Sequence, residues 1–443
     1  MNTPNFEVLL HVTAAVAVIV VLARVCGALA EKVGQPAVVG EMVSGILLGP
    51  TLLGSLAPGF TGYLFTDRTR PVLYTVAMLG LCLYMFLVGA DHEIETGRGR
   101  DRWAPVALAV TGVVGPAVLG GLGGGLLLAG ERPAGVAPWV YAVFLGGALS
   151  ITAFPMLARV LQERRMVHTR FGRTATTAAA VDDALAWCLL AVVTSLVTRG
   201  SALGAVTTVV LPALALAVAV LVVVPRVFRS RLEAAVHRGH LDEGLLAALL
   251  ATTLVVGWAA DAIGIYSVFG GFLVGVALPR VPGFAPLLHG SALGLVRTLM
   301  LPLFFAFSGL NTDLRTLASP SYLLPLVALV LVAAVTKSAA GYVVLRRWFR
   351  WSHGEAFAMG AIMNARGLMI LIFINAGLDL GVLSRPAFSM LVVVAVVTTA
   401  AAVPLYRRHF SDAVEEAARE EGLRRRPRAT AVGAREPEWA SPG

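Results

Sequence analysis

Lysine is nearly missing from this chain. Of its 35 basic residues only Lys32 and Lys337 are lysines; the others are arginine. Charge of either sign is scarce, 14% of 443 residues against 57% hydrophobic, where a soluble domain carries about 25% charged residues. That scarcity excludes a soluble globular fold. Cysteine is limited to Cys26, Cys82 and Cys188, each isolated in or beside an apolar run. They exclude a disulfide framework and a cysteine metal site, and read as small core residues. The short apolar–polar alternation of barrel strands is lacking as well. Only helical bundles and closed barrels satisfy the backbone in lipid, and apolar runs of about twenty residues mean helices. The first apolar run lacks a basic lead and a small-residue cleavage site, so it is expected to be a span rather than a removed signal.

What is present organises itself into thirteen expected spans: 8–28, 36–54, 72–90, 103–128, 137–162, 174–198, 203–225, 244–263, 265–279, 296–312, 321–344, 355–379 and 386–406. Loops after odd spans are rich in arginine (Arg98, Arg100 and Arg102; Arg164, Arg165, Arg170 and Arg173; Arg229, Arg231 and Arg238; Arg346, Arg347 and Arg350), and loops after even spans carry few basic residues. The positive-inside rule then puts the amino terminus outside and the carboxyl terminus in the cytoplasm, which an odd number of spans requires. The net charge of +9 is explained by this topology and calls for no nucleic-acid partner. Residues 411–443, rich in Ala, Glu, Arg and Pro, are expected to form a disordered cytoplasmic tail.

The chain repeats itself. "VVGEMVSGILLG" at 38–49 resembles "VFGGFLVGVAL" at 268–278, pairing Gly40 with Gly270 and Gly45 with Gly275. "FLVGADHEI" at 86–94 resembles "FAFSGLNTDL" at 305–314, pairing Gly89 with Gly309 and Glu93 with Asp313. The matches join the second span to the ninth and the third to the tenth. A shift of seven spans inverts topology, so two six-helix repeats of opposite orientation flank a linker helix, the build of many secondary transporters.

The sixth span, within "GRTATTAAAVDDALAWCLLAVVTSLVT" (172–198), carries Asp182 and Asp183 near its middle. A charge at the bilayer centre costs about 2.5–3.5 kcal/mol on insertion scales, and an intramembrane acid marks an ion pathway until shown otherwise. Neighbours on a helix point about 100° apart, so the two acids cannot share one partner equally. Lys337 in the eleventh span lies too deep to snorkel comfortably, nine residues or about 13.5 Å from the basic cap at Arg346. Lysine loses its proton when desolvated and arginine does not, so one buried lysine in an arginine-rich chain is suggestive. The fifth span, "GGALSITAFPMLARVL", places Pro155 where it breaks a helix, with Ser150 and Thr152 beside the break. A broken helix offers backbone carbonyls and dipole ends to an ion; the plain alternative is a proline kink. The twelfth span sets Asn364, Arg366 and Gly367 near its centre, and Arg366, always charged, reads first as a structural cation. Asp182, Asp183, Lys337 and Arg366 sum to zero charge. A cation enters such a core only by displacing a proton or a paired amine, which is antiport chemistry. Glu41 reads as a solvated helix-end acid, Asp91, His92 and Glu93 as interfacial, His11 as a buried or interfacial imidazole, and His237 and His240 as loop residues rather than metal ligands.

Taken together, "GQPAVVGEMVSGILLGPTLLG", "ALSITAFPMLARVLQE", "VDDALAW", "LPLFFAFSGLNTDL" and "NARGLMILIFINAGLDLGV" resemble the monovalent cation:proton antiporter-2 family, which includes Kef-type bacterial exchangers and plant cation/proton exchangers. The resemblance covers nearly all of residues 8–406. It implies the all-α sodium/proton antiporter fold, with crossed broken helices in spans 5 and 12, a mobile core of spans 4–6 and 11–13, a scaffold of spans 1–3 and 8–10, and a homodimer. It implies an inner-membrane antiporter, not an enzyme, with Na+ or K+ and H+ as substrates and no cofactor or resident metal. It assigns Asp183 as the ion- and proton-binding carboxylate and Asp182 as the partner of Lys337, with Thr152 and Ser150 at the fifth-span break. One departure stands out: Kef-type and plant relatives commonly carry an amide where this chain has Asp182. A cation channel and a cation-coupled symporter of an organic solute are the alternatives on the same architecture.

Overall fold

The computed structural model describes residues 4–91, 102–167, 169–199, 206–288, 290, 294–410 and 412–424. Among them there is no strand. The helices are α1 (Pro4–Lys32), α2 (Ala37–Leu48), α3 (Thr69–Asp91), α4 (Ala104–Leu127), α5 (Pro138–Ser150), α6 (Phe154–Glu163), α7 (Arg170–Arg199), α8 (Leu211–Arg238), α9 (Glu243–Ile263), α10 (Ser267–Ala277), α11 (Leu301–Leu310), α12 (Pro320–Arg347), α13 (His353–Ile362), α14 (Gly367–Asp379), α15 (Arg385–His409) and α16 (Asp412–Arg424), joined by short helical turns. Among the described residues, ten helices are long and apolar enough to cross a bilayer alone, and α13 with α14, bent by 41°, makes an eleventh. The ninth and tenth expected spans are shorter apolar helices, Ser267–Ala277 and Val296–Leu310. Among the described residues helix length alone supports ten or eleven spans, with these two shorter helices in the places of the ninth and tenth.

The repeat read from the sequence is visible as matched helix crossings. Gly45 of α2 meets Gly309 of α11: a Cβ on Gly309 would lie 1.9 Å from the Gly45 carbonyl carbon, and one on Gly45 would lie 2.0 Å from the Phe305 carbonyl oxygen. Their counterparts, Gly275 of α10 and Gly89 of α3, meet as closely, a Cβ on Gly275 falling 2.1 Å from the Phe86 carbonyl oxygen. Gly40 packs on Cys26 and Gly27 of α1, and Gly270 on Val256 and Gly257 of α9. Side chains are left out at these points so that backbones touch, which is how helices associate where lipid supplies no hydrophobic drive.

The fifth and twelfth expected spans are interrupted. Helix α5 ends at Ser150, Ile151 is extended (φ −67°, ψ 136°), and α6 restarts at Phe154. Pro155 thus opens the second half, where its missing N–H is no loss. Between α13 and α14, Gly367 takes φ +45°, and a Cβ there would lie 3.1 Å from Met156. Both the left-handed backbone and the close approach call for glycine. The two breaks cross and bond to each other: the Ala153 N–H donates to the Ala365 carbonyl at 2.9 Å, and Thr152 Oγ1 donates to the Met363 carbonyl at 2.8 Å.

Two expectations change. The tail does not begin as disordered chain: α16 is helical, and its Glu415 is buried, accepting from Arg164 at 2.6 Å and from Arg419 at 2.7 Å. A charge run read as solvated therefore has a buried acid held by two arginines. Residues 425–443 lie outside the described residues. Glu41 is also buried, at 6% exposure, because its place on α2 faces α1 across Gly27.

Candidate ion-binding site

Lys337 of α12 and Asp182 of α7 are fully enclosed. Lys337 Nζ donates to Asp182 Oδ2 at 2.6 Å, to the Ser150 carbonyl at 2.6 Å and to the Gly112 carbonyl at 2.9 Å. All three ammonium protons are used. Both carbonyls are free because the helix around each is interrupted. Ser150 ends α5, so its carbonyl has lost its helical partner. Gly112 lies four residues before Pro116 inside α4, and proline has no N–H to return.

Arg366 closes the rest of that helix end. Its guanidinium donates to the Leu149 carbonyl in a short contact and, more loosely, to the carbonyls of Ala148 (3.4 Å) and Ile151 (3.5 Å). Its other terminal nitrogen donates to the Ala333 carbonyl at 2.9 Å. The negative end of the α5 dipole is thus met by two cations, Lys337 and Arg366. The carbonyls that a broken helix was expected to offer to an ion are here occupied by side chains.

Asp183 is treated differently. It is fully buried, and neither carboxylate oxygen accepts a well-formed hydrogen bond. The group closest to serving it is the Phe154 backbone N–H at the amino terminus of α6, where the dipole favours an anion. Asp182 and Asp183, adjacent in sequence, are split by the helix turn as expected: one holds Lys337, the other faces the break. The remaining Asp182 oxygen, Oδ1, also lacks a well-formed partner. Thr152 reaches Asp182, but its single proton goes to the Met363 carbonyl, which leaves its oxygen free to accept or to ligate.

Ser150 enters the site through its carbonyl rather than its hydroxyl, which donates back to Gly147 at 2.9 Å. Asn364 holds its own break to α12: Nδ2 donates to Ser338 Oγ at 2.8 Å and to the Gly360 carbonyl at 3.0 Å, while Oδ1 has no partner. Two participants were not singled out from the sequence. Pro116 was visible as a proline inside an apolar span and signalled a freed carbonyl. Thr399 of α15, whose Oγ1 accepts from the Arg366 N–H at 3.2 Å and the Gly367 N–H at 3.1 Å, is one of several threonines in apolar runs, with nothing local to mark it. The weaker candidates stay apart from this cluster: His11 stacks edge-on against Tyr63, and His237 and His240 are exposed. Among the described residues no group of three or more His, Cys, Asp or Glu side chains could hold a metal ion. His92 and Glu93 lie outside the described residues.

Known proteins are similar to this chain in sequence and in fold. Residues 18–406 match the family described as sodium/hydrogen exchanger, transmembrane. The chain is 37% identical over 398 residues to the Na+/H+ antiporter NhaS4 of Synechocystis sp., covering 90% of this chain and 96% of that one. It is 36% identical over 391 residues to cation/H+ antiporter 18 of Arabidopsis thaliana, covering 88% of this chain and 48% of that one. It is 29% identical over 404 residues to K+/H+ antiporter 1 of Saccharomyces cerevisiae, covering 87% and 44%. The chain thus spans about half the length of the plant and yeast relatives and nearly all of the cyanobacterial one. In fold it is similar to the sodium proton antiporter MjNhaP1 from Methanocaldococcus jannaschii, with a TM-score of 0.67 over 93% of this chain and 99% of that one, at 14% identity. On sequence, the chain belongs to the transmembrane sodium/hydrogen exchanger family of cation/proton antiporters.

Proposed function

We propose that the protein exchanges Na+ or K+ for protons across the cytoplasmic membrane, with Asp183 binding either the cation or a proton and never both. The observation that carries this reading is the asymmetry of the two acids. Asp182 already has Lys337 at 2.6 Å, while Asp183 is buried with no ion pair of its own among the described residues and only the Phe154 N–H at the amino terminus of α6 directed at it. A buried carboxylate without a paired positive charge needs a proton or a cation, and competition between the two couples their fluxes. Asp182 Oδ1 and Thr152 Oγ1 complete an oxygen-lined site suited to a hard monovalent cation. A cation reaching Asp182 weakens its hold on Lys337. If Lys337 then gives up its proton, two protons move per cation; if it keeps it, one.

In this reading α4–α7 and α12–α15 form a core that carries the site as an elevator past a scaffold of α1–α3 and α9–α11. The amino terminus is outside, the carboxyl terminus in the cytoplasm, and the protein a homodimer. The relatives support both candidate cations: one is named for Na+ and another for K+. The test is an Asp183→Asn variant in proteoliposomes with an imposed proton gradient. Exchange of Na+ and of K+ is expected to fall to background while the protein still purifies folded. Near-parental exchange would overturn the assignment.

A further inference from the structure

Trp187 lies four residues beyond Asp183 on α7, hence on the same face one turn further toward the outer end in the proposed orientation. It is 95% buried, at 5% exposure, yet its indole Nε1–H has no nitrogen or oxygen acceptor from the protein. Its ring packs against Phe269 of α10, centroids 5.9 Å apart and planes 50° from parallel. That contact runs from the core to the scaffold, between Asp183 and the outer rim. Toward the outer rim the same two bodies are joined by polar contacts, the first exposed and the others buried or half-buried. Tyr74 of α3 donates to Asp379 at the end of α14 at 3.3 Å, Asn375 of α14 donates to Ser308 of α11 at 3.1 Å, and the Asp313 N–H donates to Ser389 of α15 at 3.0 Å. On the inner side a cavity of about 530 Å³ lies between the bodies, lined by Pro36 from the scaffold, by Val160 and Arg407 from the core and by Glu415 and Arg419 of α16.

A buried indole N–H without an acceptor is costly, since tryptophan normally finds one. Water admitted from outside would supply one, and so would the hydration shell of an arriving cation. We infer that Trp187 and Phe269 form the outer gate of the exchanger, shut in this conformation, and that the Trp187 N–H gains its acceptor only when the core moves and the outer path hydrates. The inference rests on the proposed division into core and scaffold and on Asp183 as the site. The unpartnered donor is a built-in bias toward opening: it raises the closed state and not the open one.

Two experiments test this. Trp187→Phe keeps a ring against Phe269 and removes the donor, so the closed state loses its penalty and the outward-open population falls. In right-side-out vesicles the apparent KM for the outer cation is expected to rise about five-fold, the worth of one hydrogen bond, with no matching rise in inside-out vesicles. An equal change on both sides, or an outer KM within two-fold of the parent, overturns the gate. In the second, Trp187→Cys and Phe269→Cys are combined in a chain whose Cys26, Cys82 and Cys188 are alanine, and linked with a short bifunctional thiol reagent cleaved by reductant. Exchange is expected to drop at least ten-fold on linking and return on reduction. A linked protein that still exchanges overturns the gate while leaving the proposed antiport standing. A parent chain that moves neither Na+ nor K+ against protons overturns the antiport itself. A double variant inactive before linking leaves the decision to the sided KM of Trp187→Phe.

Discussion

The break between α5 and α6 and the break between α13 and α14 cross each other and come from equivalent spans of an inverted repeat, yet they are finished with opposite chemistry. At the first, the carbonyls at the end of α5 are met by Lys337 and Arg366, and the amino terminus of α6 points at Asp183. At the second, the amides opening α14 are capped by the neutral hydroxyl of Thr399, and the carbonyl of Met363 at the end of α13 goes to Thr152. The second break sends its one charge, Arg366, across to the first. Repeat symmetry therefore sets the backbone, and side chains collect the charge at one place. A symmetrical pair of ion sites would need two unpartnered acids; this core has one, and the cations around it are all engaged except for Arg366 Nε.

The largest expected effect comes from removing the cation that one break lends the other. Arg366→Met leaves the α5 carbonyls and the Asp182–Asp183 pair short of a buried positive charge, a loss of about 3–5 kcal/mol. Thermal unfolding in detergent should show a sharply lowered midpoint or no folded protein; an unchanged midpoint would mean the α5 end needs no cation. Lys337→Met should cost nearly as much, because Asp182 loses the lysine it pairs with, and a combined Asp182→Asn and Lys337→Met variant should recover part of the loss, since an ion pair removed whole is less damaging than one cut in half. A double variant no more stable than Lys337→Met would break the pairing. If Lys337 carries a proton, the same single variant also changes the reversal potential of exchange.

Smaller effects separate scaffold from core. Gly309→Ala forces a methyl against the Gly45 carbonyl and is expected to destabilise by about 1–3 kcal/mol while leaving the KM for the cation unchanged. A shifted KM would mean that the scaffold crossing tunes the site. Thr399→Val removes only a cap, about 1 kcal/mol. It should lower the unfolding midpoint slightly with exchange retained; abolished exchange would make the second break part of the binding chemistry.

Periodicity and composition carry far in a membrane chain because lipid allows so few solutions. The helical class, the break at Pro155 in the fifth span, the glycine repeat and the pairing of Lys337 with one of two adjacent acids follow from residues that are expensive or unusual where they stand; the broken twelfth span and the choice of Asp182 come from the family resemblance. What was not legible is what carries no cost locally. Ser150 looks like a ligand from its hydroxyl, yet its backbone carbonyl does the work, because only the folded break decides which group turns inward. Thr399 is unexceptional in an apolar helix until the crossing brings Arg366 and Gly367 to it. Pro116 acts on a carbonyl four residues away and on a lysine 221 positions on, a connection no local pattern contains. Helix α16 was hidden by its composition, since burial of Glu415 depends on Arg164 at the far end of the core.

The central claim is that one carboxylate serves cation and proton by turns. It is tested most directly by the apparent KM for Na+ and for K+ in proteoliposomes as pH is stepped downward at fixed membrane potential. Competition at Asp183 predicts a KM that climbs with proton concentration for whichever cation is carried, at a maximal rate restored by saturating cation. A KM indifferent to pH, with only the maximal rate changing, would contradict a shared site.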